Sequence, residues 1–223
     1  MSEDERTIAF VDLSGFTALT EAHGDETGAA TALRFYDMTR SLLHNGASLV
    51  KTIGDAVMLA APEPETAVGI VLDLRTLTDS TPNFPMIRAG LHAGLAREAD
   101  HDYFGASVNL AARVAAHARA GQILCTAPVA GRLAENAVYT VVPIGPVSFR
   151  NVHDPVVIYE LRNRAVNVTA AHIDPICRMH VPPDSAIARF RAGTVEYYFC
   201  SFQCLRTFVL ENQKPESNTE EDQ

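Results

Sequence analysis

The chain has no tryptophan, few cysteines, little positive charge and no long apolar run. Spanning a bilayer takes roughly 20 consecutive apolar residues, and no run of that length occurs here. The opening residues are mostly charged, unlike a secretory signal. The 18 Lys and Arg residues against 27 Asp and Glu give a formal net charge of −9, whereas a broad nucleic-acid surface needs a positive face. We therefore expect a cytoplasmic protein that binds neither membrane nor nucleic acid.

The use of cysteine indicates a local site rather than a disulfide framework. The chain has four cysteines, and Cys177, Cys200 and Cys204 lie near its end. Small secreted domains instead use many paired cysteines as staples for the whole fold. Cys125 lies in a predicted strand and is expected to pack in the core. With 223 residues and 47% hydrophobic content, the chain can bury one main core and has room for a small second module.

Two acids stand where apolar strands end in turns that contain glycine. The segments AFVDLSGFT (residues 9–17) and VKTIGDAVM (residues 50–58) place Asp12 and Asp55 in this way. Two carboxylates held at the edge of a buried scaffold can bind metal ions over a polyphosphate. A third segment, DYFGASVNLAAR (residues 102–113), puts Asn109 and Arg113 four residues apart, hence on one face of a predicted helix.

Periodicity and turn residues predict a ferredoxin-like α+β fold. We expect strands over residues 7–11, 48–53, 56–60 and 87–93, with helices over 26–43 and 64–77, which is the order βαββαβ. Beyond these, a helix over 108–118 and strands over 123–126, 138–142 and 155–161 are expected. Residues 1–6 then form an N-terminal tail and residues 7–161 the main domain.

Together the three segments resemble the class III nucleotide cyclases. The resemblance implies a ferredoxin-like cyclase domain with additional strands, and a reaction in which the ribose 3′-hydroxyl attacks the α-phosphorus while pyrophosphate leaves. It assigns two Mg²⁺ or Mn²⁺ ions to Asp12 and Asp55, with the Leu13 carbonyl as a further ligand. The backbone at Gly15 and Phe16 would receive phosphate oxygens.

Further roles follow from the same resemblance. Asn109 would orient the ribose, and Arg113 would stabilise charge in the transition state. Arg150, in the segment FRNV, stands where many relatives have a phosphate-binding Lys, and could replace it. The family builds each site from two subunits, so one complete set of residues per chain implies a homodimer.

The choice of base depends on hydrogen-bond polarity. Adenine presents a donor at N6 and an acceptor at N1, which suits a Lys donor with an Asp acceptor. The resemblance gives these roles to Lys51 and Asp102 and implies an adenylyl cyclase that converts ATP to 3′,5′-cyclic AMP. Two alternatives stay open: a guanylyl cyclase, and a catalytically idle cyclase fold that acts as a sensor. His92, although catalytic by type, is expected to be a packed strand residue.

The last part of the chain has a separate signature. After a predicted linker over residues 162–172, the segments DPICRMHV (174–181) and YYFCSFQC (197–204) resemble the small YHS domain, over residues 173–214. Cys177, Cys200 and Cys204, with His172, Met179 and His180 nearby, could bind Zn²⁺ or Cu⁺ and give the module a regulatory or metal-sensing role. Alternatively, these thiols are buried packing residues. Residues 215–223 are expected to form a disordered tail.

Overall fold

The computed structural model describes residues 3–133, 138–163 and 172–212. Its main sheet has eight strands: β1 (Glu3–Leu13), β2 (Ser48–Ile53), β3 (Ala56–Ala61), β4 (Ile87–Ala99), β5 (Asp102–Phe104), β6 (Ile123–Thr126), β7 (Tyr139–Val147) and β8 (Val156–Asn163). Five helices accompany it: α1 (Phe16–His23), α2 (Asp25–Ser41), α3 (Pro64–Asp79), α4 (Ala106–His117) and α5 (Ala127–Leu133).

The order of the strands confirms the expected mixed α+β fold. The strands lie in the order β2-β3-β1-β4-β6-β8-β7, with β5 paired to the end of β4. The first four strands are antiparallel to one another where they pair, as in a ferredoxin-like βαββαβ unit. β6 joins β4 in parallel, and β8 and β7 extend the sheet.

The N-terminus and the first helix differ from expectation. Strand β1 begins at Glu3 rather than Thr7, because β4 runs on to Ala99 and pairs with the charged segment, Glu3 opposite Arg97. Exposed charged side chains on such an overhang give no apolar alternation, so the sequence indicated a tail. A helix α1 also precedes α2, and Gly24, with φ 85°, separates them.

The sheet is covered on both faces. The larger core lies between the sheet and α2, α3 and α5, and includes Val11, Phe35 and Leu72. The other face packs against α4 through residues such as Ile8 and Val108. This helix lies directly on the sheet at Gly90. A Cβ added to Gly90 would fall only 2.0 Å from the backbone nitrogen of Ala115, so only glycine fits there.

Residues 172–212, here called the C-terminal module, contain β9 (His172–Ile173), β10 (His180–Val181), β11 (Ala188–Ala192), β12 (Val195–Phe199) and α6 (Phe202–Asn212). β8 ends at Asn163, and residues 164–171 of the predicted linker and the predicted tail lie outside the described residues.

The C-terminal module packs on the main domain. Its core joins Phe199 and Cys177 to Leu19 of α1. The amide of Asn83 donates to the His180 carbonyl at 2.9 Å, and the His180 amide donates to the Phe84 carbonyl at 3.0 Å. Backbone pairing and a shared core therefore connect the module to α1 and to the loop before β4.

Candidate active site

The two predicted metal acids lie side by side. Asp12 is on β1, opposite Ala56 of β3 and Arg88 of β4, and Asp55 is in the tight turn between β2 and β3. The Leu13 amide donates to the backbone carbonyl of Asp55 at 3.2 Å, which holds the two strand ends together. Burial raises the pKa of Asp55, and the neighbouring negative charge of Asp12 raises it further.

Arg88 is a site residue that the sequence analysis missed. Its Nε donates to Asp12 Oδ2 at 2.7 Å, and its side chain is about one-third exposed. The signal was a single arginine within an apolar strand, but only the strand register reveals that it faces Asp12. One cation therefore faces two carboxylates, and the cluster keeps a net negative charge that a divalent cation would neutralise.

Backbone hydrogen bonds and a glycine with positive φ define the turn from Leu13 to Phe16. The Ser14 amide donates to the Met86 carbonyl at 2.8 Å, and Gly15 takes φ 76° before α1 begins. The Ser14 hydroxyl is buried and has no hydrogen-bond partner among the described residues. One buried hydroxyl in this turn, two residues after Asp12, is therefore left without a partner in the described part of the chain.

Lys51 and Asp102, fifty-one residues apart in sequence, are brought into contact. Lys51 Nζ donates to Asp102 Oδ2 at 2.5 Å, and the other oxygen accepts from the Tyr103 amide at 2.8 Å. Burial by itself would raise the pKa of Asp102, but the hydrogen bonds from Lys51 and Tyr103 outweigh it and lower the pKa. The pair stays partly exposed, at 38% and 25% of the side chains.

The remaining predicted residues lie apart from the acids. Asn109 and Arg113 share one face of α4 and stay exposed or half-exposed. Within the described ranges, no hydrogen bond or ion pair joins either of them to Asp12 or Asp55. Arg150 is exposed after β7, beside Phe149, whose ring packs edge-on against His117 of α4 at 5.8 Å.

The histidine in β4 occupies a structural position. His92 Nδ1 lies 2.7 Å from the Thr126 hydroxyl, and burial lowers the pKa of His92. It therefore packs between strands, as the sequence analysis expected.

The three C-terminal thiols converge, and a histidine of α1 joins them. Cys200 Sγ lies 3.2 Å from Cys177 Sγ and 3.7 Å from Cys204 Sγ, and 3.2 Å from His23 Nε2. Hydrogen bonds from the thiols of Cys177 and Cys200 lower the pKa of Cys204. The sequence could not indicate His23, because it belongs to the other domain.

Of the other residues near the thiols in sequence, Met179 packs in the same buried cluster as Cys177 and Cys204, whereas the two histidines have partners elsewhere. His172 stacks on the ring of Tyr198, with 3.7 Å between ring centroids, and His180 Nε2 lies 3.1 Å from Asp79 Oδ1. Cys125 is fully buried in β6, and burial raises its pKa to about 12, as befits a packing residue.

Comparison with known proteins identifies relatives in bacteria and trypanosomes. The pH-sensitive adenylate cyclase MT1302 of Mycobacterium tuberculosis is 42% identical over 118 residues, which is 53% of this chain and 30% of that protein. A receptor-type adenylate cyclase of Trypanosoma congolense is 32% identical, over 71% of this chain and 28% of that protein. The chain thus spans less than a third of the length of either relative.

Among solved structures, an adenylate cyclase of Trypanosoma brucei in its monomeric state matches with a TM-score of 0.66 and 27% identity, covering 72% of this chain and 88% of that one. The adenylyl cyclase CyaB of P. aeruginosa shares the fold, with a TM-score of 0.64 and 23% identity, covering 73% of this chain and 95% of that one. No helix in the described part of the chain is both long and apolar enough to cross a membrane. The profile of the adenylate and guanylate cyclase catalytic domain family matches residues 1–163, and the chain belongs to this family.

Proposed function

We propose that this protein is an adenylyl cyclase that converts ATP to 3′,5′-cyclic AMP and pyrophosphate at sites shared by two copies of the chain. The observation that carries this proposal is the contact between Lys51 and Asp102, combined with the acid pair of Asp12 and Asp55. One set supplies a donor and an acceptor for a purine, and the other supplies ligands for metal-bound phosphates.

The acid pair fits Mg²⁺ or Mn²⁺. Asp12, Asp55 and the Leu13 carbonyl offer oxygen ligands, which these cations prefer. Burial and, after it, the negative charge of Asp12 raise the pKa of Asp55, and a bound divalent cation would lower it again. When bound, two such ions activate the attacking hydroxyl and neutralise charge on the phosphates. Arg88 orients Asp12 through their hydrogen bond, and the amides at Gly15 and Phe16 would receive the phosphate oxygens.

The polarity of Lys51 and Asp102 favours adenine. A lysine donates to N1 of adenine, and an ionised carboxylate accepts from its N6 amino group; guanine has the opposite polarity at both positions. The lowered pKa of Asp102 keeps this carboxylate ionised near neutral pH, as an acceptor must be. In the absence of nucleotide, the ion pair between Lys51 and Asp102 gives each charged group a partner, which the purine base would replace.

The distribution of the residues within one chain supports a homodimer. Asp12 lies opposite Arg88 at the start of β4, whereas Asp102 pairs with Ala99 at its end. A second copy can bring Asn109, Arg113 and Arg150 to the acids of the first. Large apolar side chains near both groups support this arrangement, because Ile53, Leu95 and Phe104 are 48%, 60% and 52% exposed.

We propose that the C-terminal module is a YHS domain and that it has a regulatory role. Its thiols converge at the boundary with the main domain rather than on the outer surface of the module. A ligand bound there would therefore contact α1, the helix that follows the turn at Gly15.

An assay of the purified protein with Mn²⁺ and either ATP or GTP tests the proposed function. We expect cyclic AMP and pyrophosphate from ATP, and little product from GTP. Production mainly of cyclic GMP would identify a guanylyl cyclase instead, and no cyclic product from either nucleotide would identify an idle cyclase fold.

A further inference from the structure

We propose that His23, Cys177, Cys200 and Cys204 form a zinc site that the main domain and the C-terminal module build together. The four ligand atoms all lie within 4.8 Å of one another. In a tetrahedral site with Zn–S bonds of about 2.3 Å, sulfur atoms lie roughly 3.8 Å apart. The Cys200–Cys204 separation of 3.7 Å is close to that value, and the two contacts of 3.2 Å need only a small expansion.

The ligand types indicate zinc. Three thiols and one imidazole form one of the closed sets used in structural zinc sites. Soft ligands of this kind exclude Mg²⁺ and Ca²⁺, which prefer oxygen. The side chains come from the end of α1, the loop before β10, the residue after β12 and α6, so one ion would connect four separate segments.

A buried carboxylate positions two of the thiol-bearing segments. Asp174 is fully buried, and its Oδ1 accepts from the amides of Ile176 and Cys177 at 2.9 and 3.3 Å. Its Oδ2 accepts from the Cys200 amide at 2.9 Å. Backbone hydrogen bonds to one acid therefore fix the spacing of Cys177 and Cys200 before any metal binds, as outer-sphere groups do in metal sites.

The zinc site would also support the turn beside the acid pair. A Cβ on Gly15 would lie 3.0 Å from the Cys177 carbonyl oxygen and 3.0 Å from Arg178 Cγ. The Arg178 carbonyl accepts from the Met86 amide at 3.0 Å, and the Met86 carbonyl accepts from Ser14 at 2.8 Å. Residue 178 has φ 61°, so this segment is a tight, specific turn.

The consequence is a coupling between the two sites. Helix α1 runs from the turn at Gly15 to His23, so zinc would hold its far end while Cys177 and Arg178 support its beginning. Zinc binding should therefore order the turn that faces the phosphates. The effect on turnover depends on the proposed cyclase function, whereas zinc binding and the ordering of α1 do not.

Zinc binding is tested on the full chain without a His tag, reduced and freed of metal. Titration with Zn²⁺ against a chromogenic chelator should give about one ion per chain, and Co²⁺ should give the absorption of a tetrahedral thiolate site. His23→Ala and Cys204→Ser should each weaken zinc binding at least tenfold. The controls His153→Ala, at an exposed residue, and Cys125→Ala, at a thiol outside the cluster, should bind zinc as the wild type does.

Hydrogen exchange tests the coupling. Zinc should slow amide exchange over residues 13–23 in the wild type and in His153→Ala, but not in His23→Ala. The shared site is overturned if the reduced wild type binds no zinc, if His23→Ala binds it equally well, or if Cys177 and Cys200 form a disulfide that replaces it. Unchanged exchange over residues 13–23 would overturn the coupling. None of these measurements needs turnover, so a failed cyclase assay leaves them unaffected.

Discussion

Two carboxylates in the candidate site, Asp12 and Asp55, differ in how far the surrounding residues compensate their negative charge. Asp12 has an ion pair with Arg88, whereas the pKa of Asp55 is raised by burial and by Asp12. A group whose pKa is higher in the folded state destabilises the fold when it is ionised. In our proposal, metal binding relieves this cost.

Asp55→Asn should therefore raise stability while it abolishes activity. In EDTA at pH 7 the variant should melt above the wild type, because the ionised carboxylate is lost. The gain should shrink as pH falls below the raised pKa, and disappear below about 4, where the acid is protonated in both states. Cyclic AMP production with Mn²⁺ should fall roughly a hundredfold or more.

Thermal melting at several pH values measures this effect. Asp154→Asn, at a side chain that is 88% exposed, is the matched control and should change neither stability nor activity. An Asp55→Asn variant that is less stable than the wild type at pH 7 would show that Asp55 is a structural residue.

The base-recognition pair allows a second prediction at this scale. Replacing Lys51 with Glu and Asp102 with Cys removes the donor and acceptor matched to adenine, and each unpaired buried polar group costs about 1–3 kcal/mol. Activity with ATP should fall at least tenfold, measured as kcat/KM for ATP and for GTP. If the double variant keeps its preference for ATP, the base is recognised elsewhere.

Among the helices and strands, α1 contacts both the acid-bearing turn and the C-terminal module. Gly15 begins it with a positive φ and with the C-terminal module in close contact, while Leu19 packs in the core of that module. The helix thus contacts the acid-bearing turn at one end and the thiol cluster at the other.

Gly15→Ala should be more destabilising than the same change at a glycine with a similar backbone and free space. Gly193, in the turn between β11 and β12, has φ 61°, and a Cβ added there would meet no atom of the described residues within 4 Å. Both variants incur about 1–2 kcal/mol for the left-handed conformation. Gly15→Ala should lose about 1 kcal/mol more, because the added methyl group meets a backbone carbonyl. Equal losses in urea denaturation would show that the module does not press on this turn.

The elements also show what a sequence can predict. The order of strands and helices along the first part of the chain, and the turn at Asp55, could be predicted because they depend on local periodicity and on the placement of glycine. Arg88 and His23 were missed because their roles come from strand register and from contact between domains. The strand residues from Glu3 to Arg6 were missed because they pair with β4 through backbone hydrogen bonds, whereas their charged side chains show no apolar alternation.

At the scale of the whole molecule, one chain is an incomplete catalyst in our proposal. The acids and the transition-state residue Arg113 lie in different regions of the chain, and exposed apolar side chains border both regions. A second copy would cover these side chains and complete two equivalent sites. Two inactive variants, each lacking a different residue of the shared site, should then restore activity when they form a heterodimer.

Asp55→Ala and Arg113→Ala should each abolish cyclic AMP production, and an equal mixture should recover roughly a quarter of the wild-type activity. Half of the randomly assembled dimers are heterodimers, and each of these has one site with both residues intact and one with neither. The variants are mixed under mild denaturation, refolded and assayed with ATP and Mn²⁺, with wild type treated in the same way as control. Recovery should depend on both variants, so each alone stays inactive after the same treatment. A mixture that remains inactive, while the treated wild type retains its activity, would refute the shared site, because Asp55 and Arg113 would then have to act within one chain.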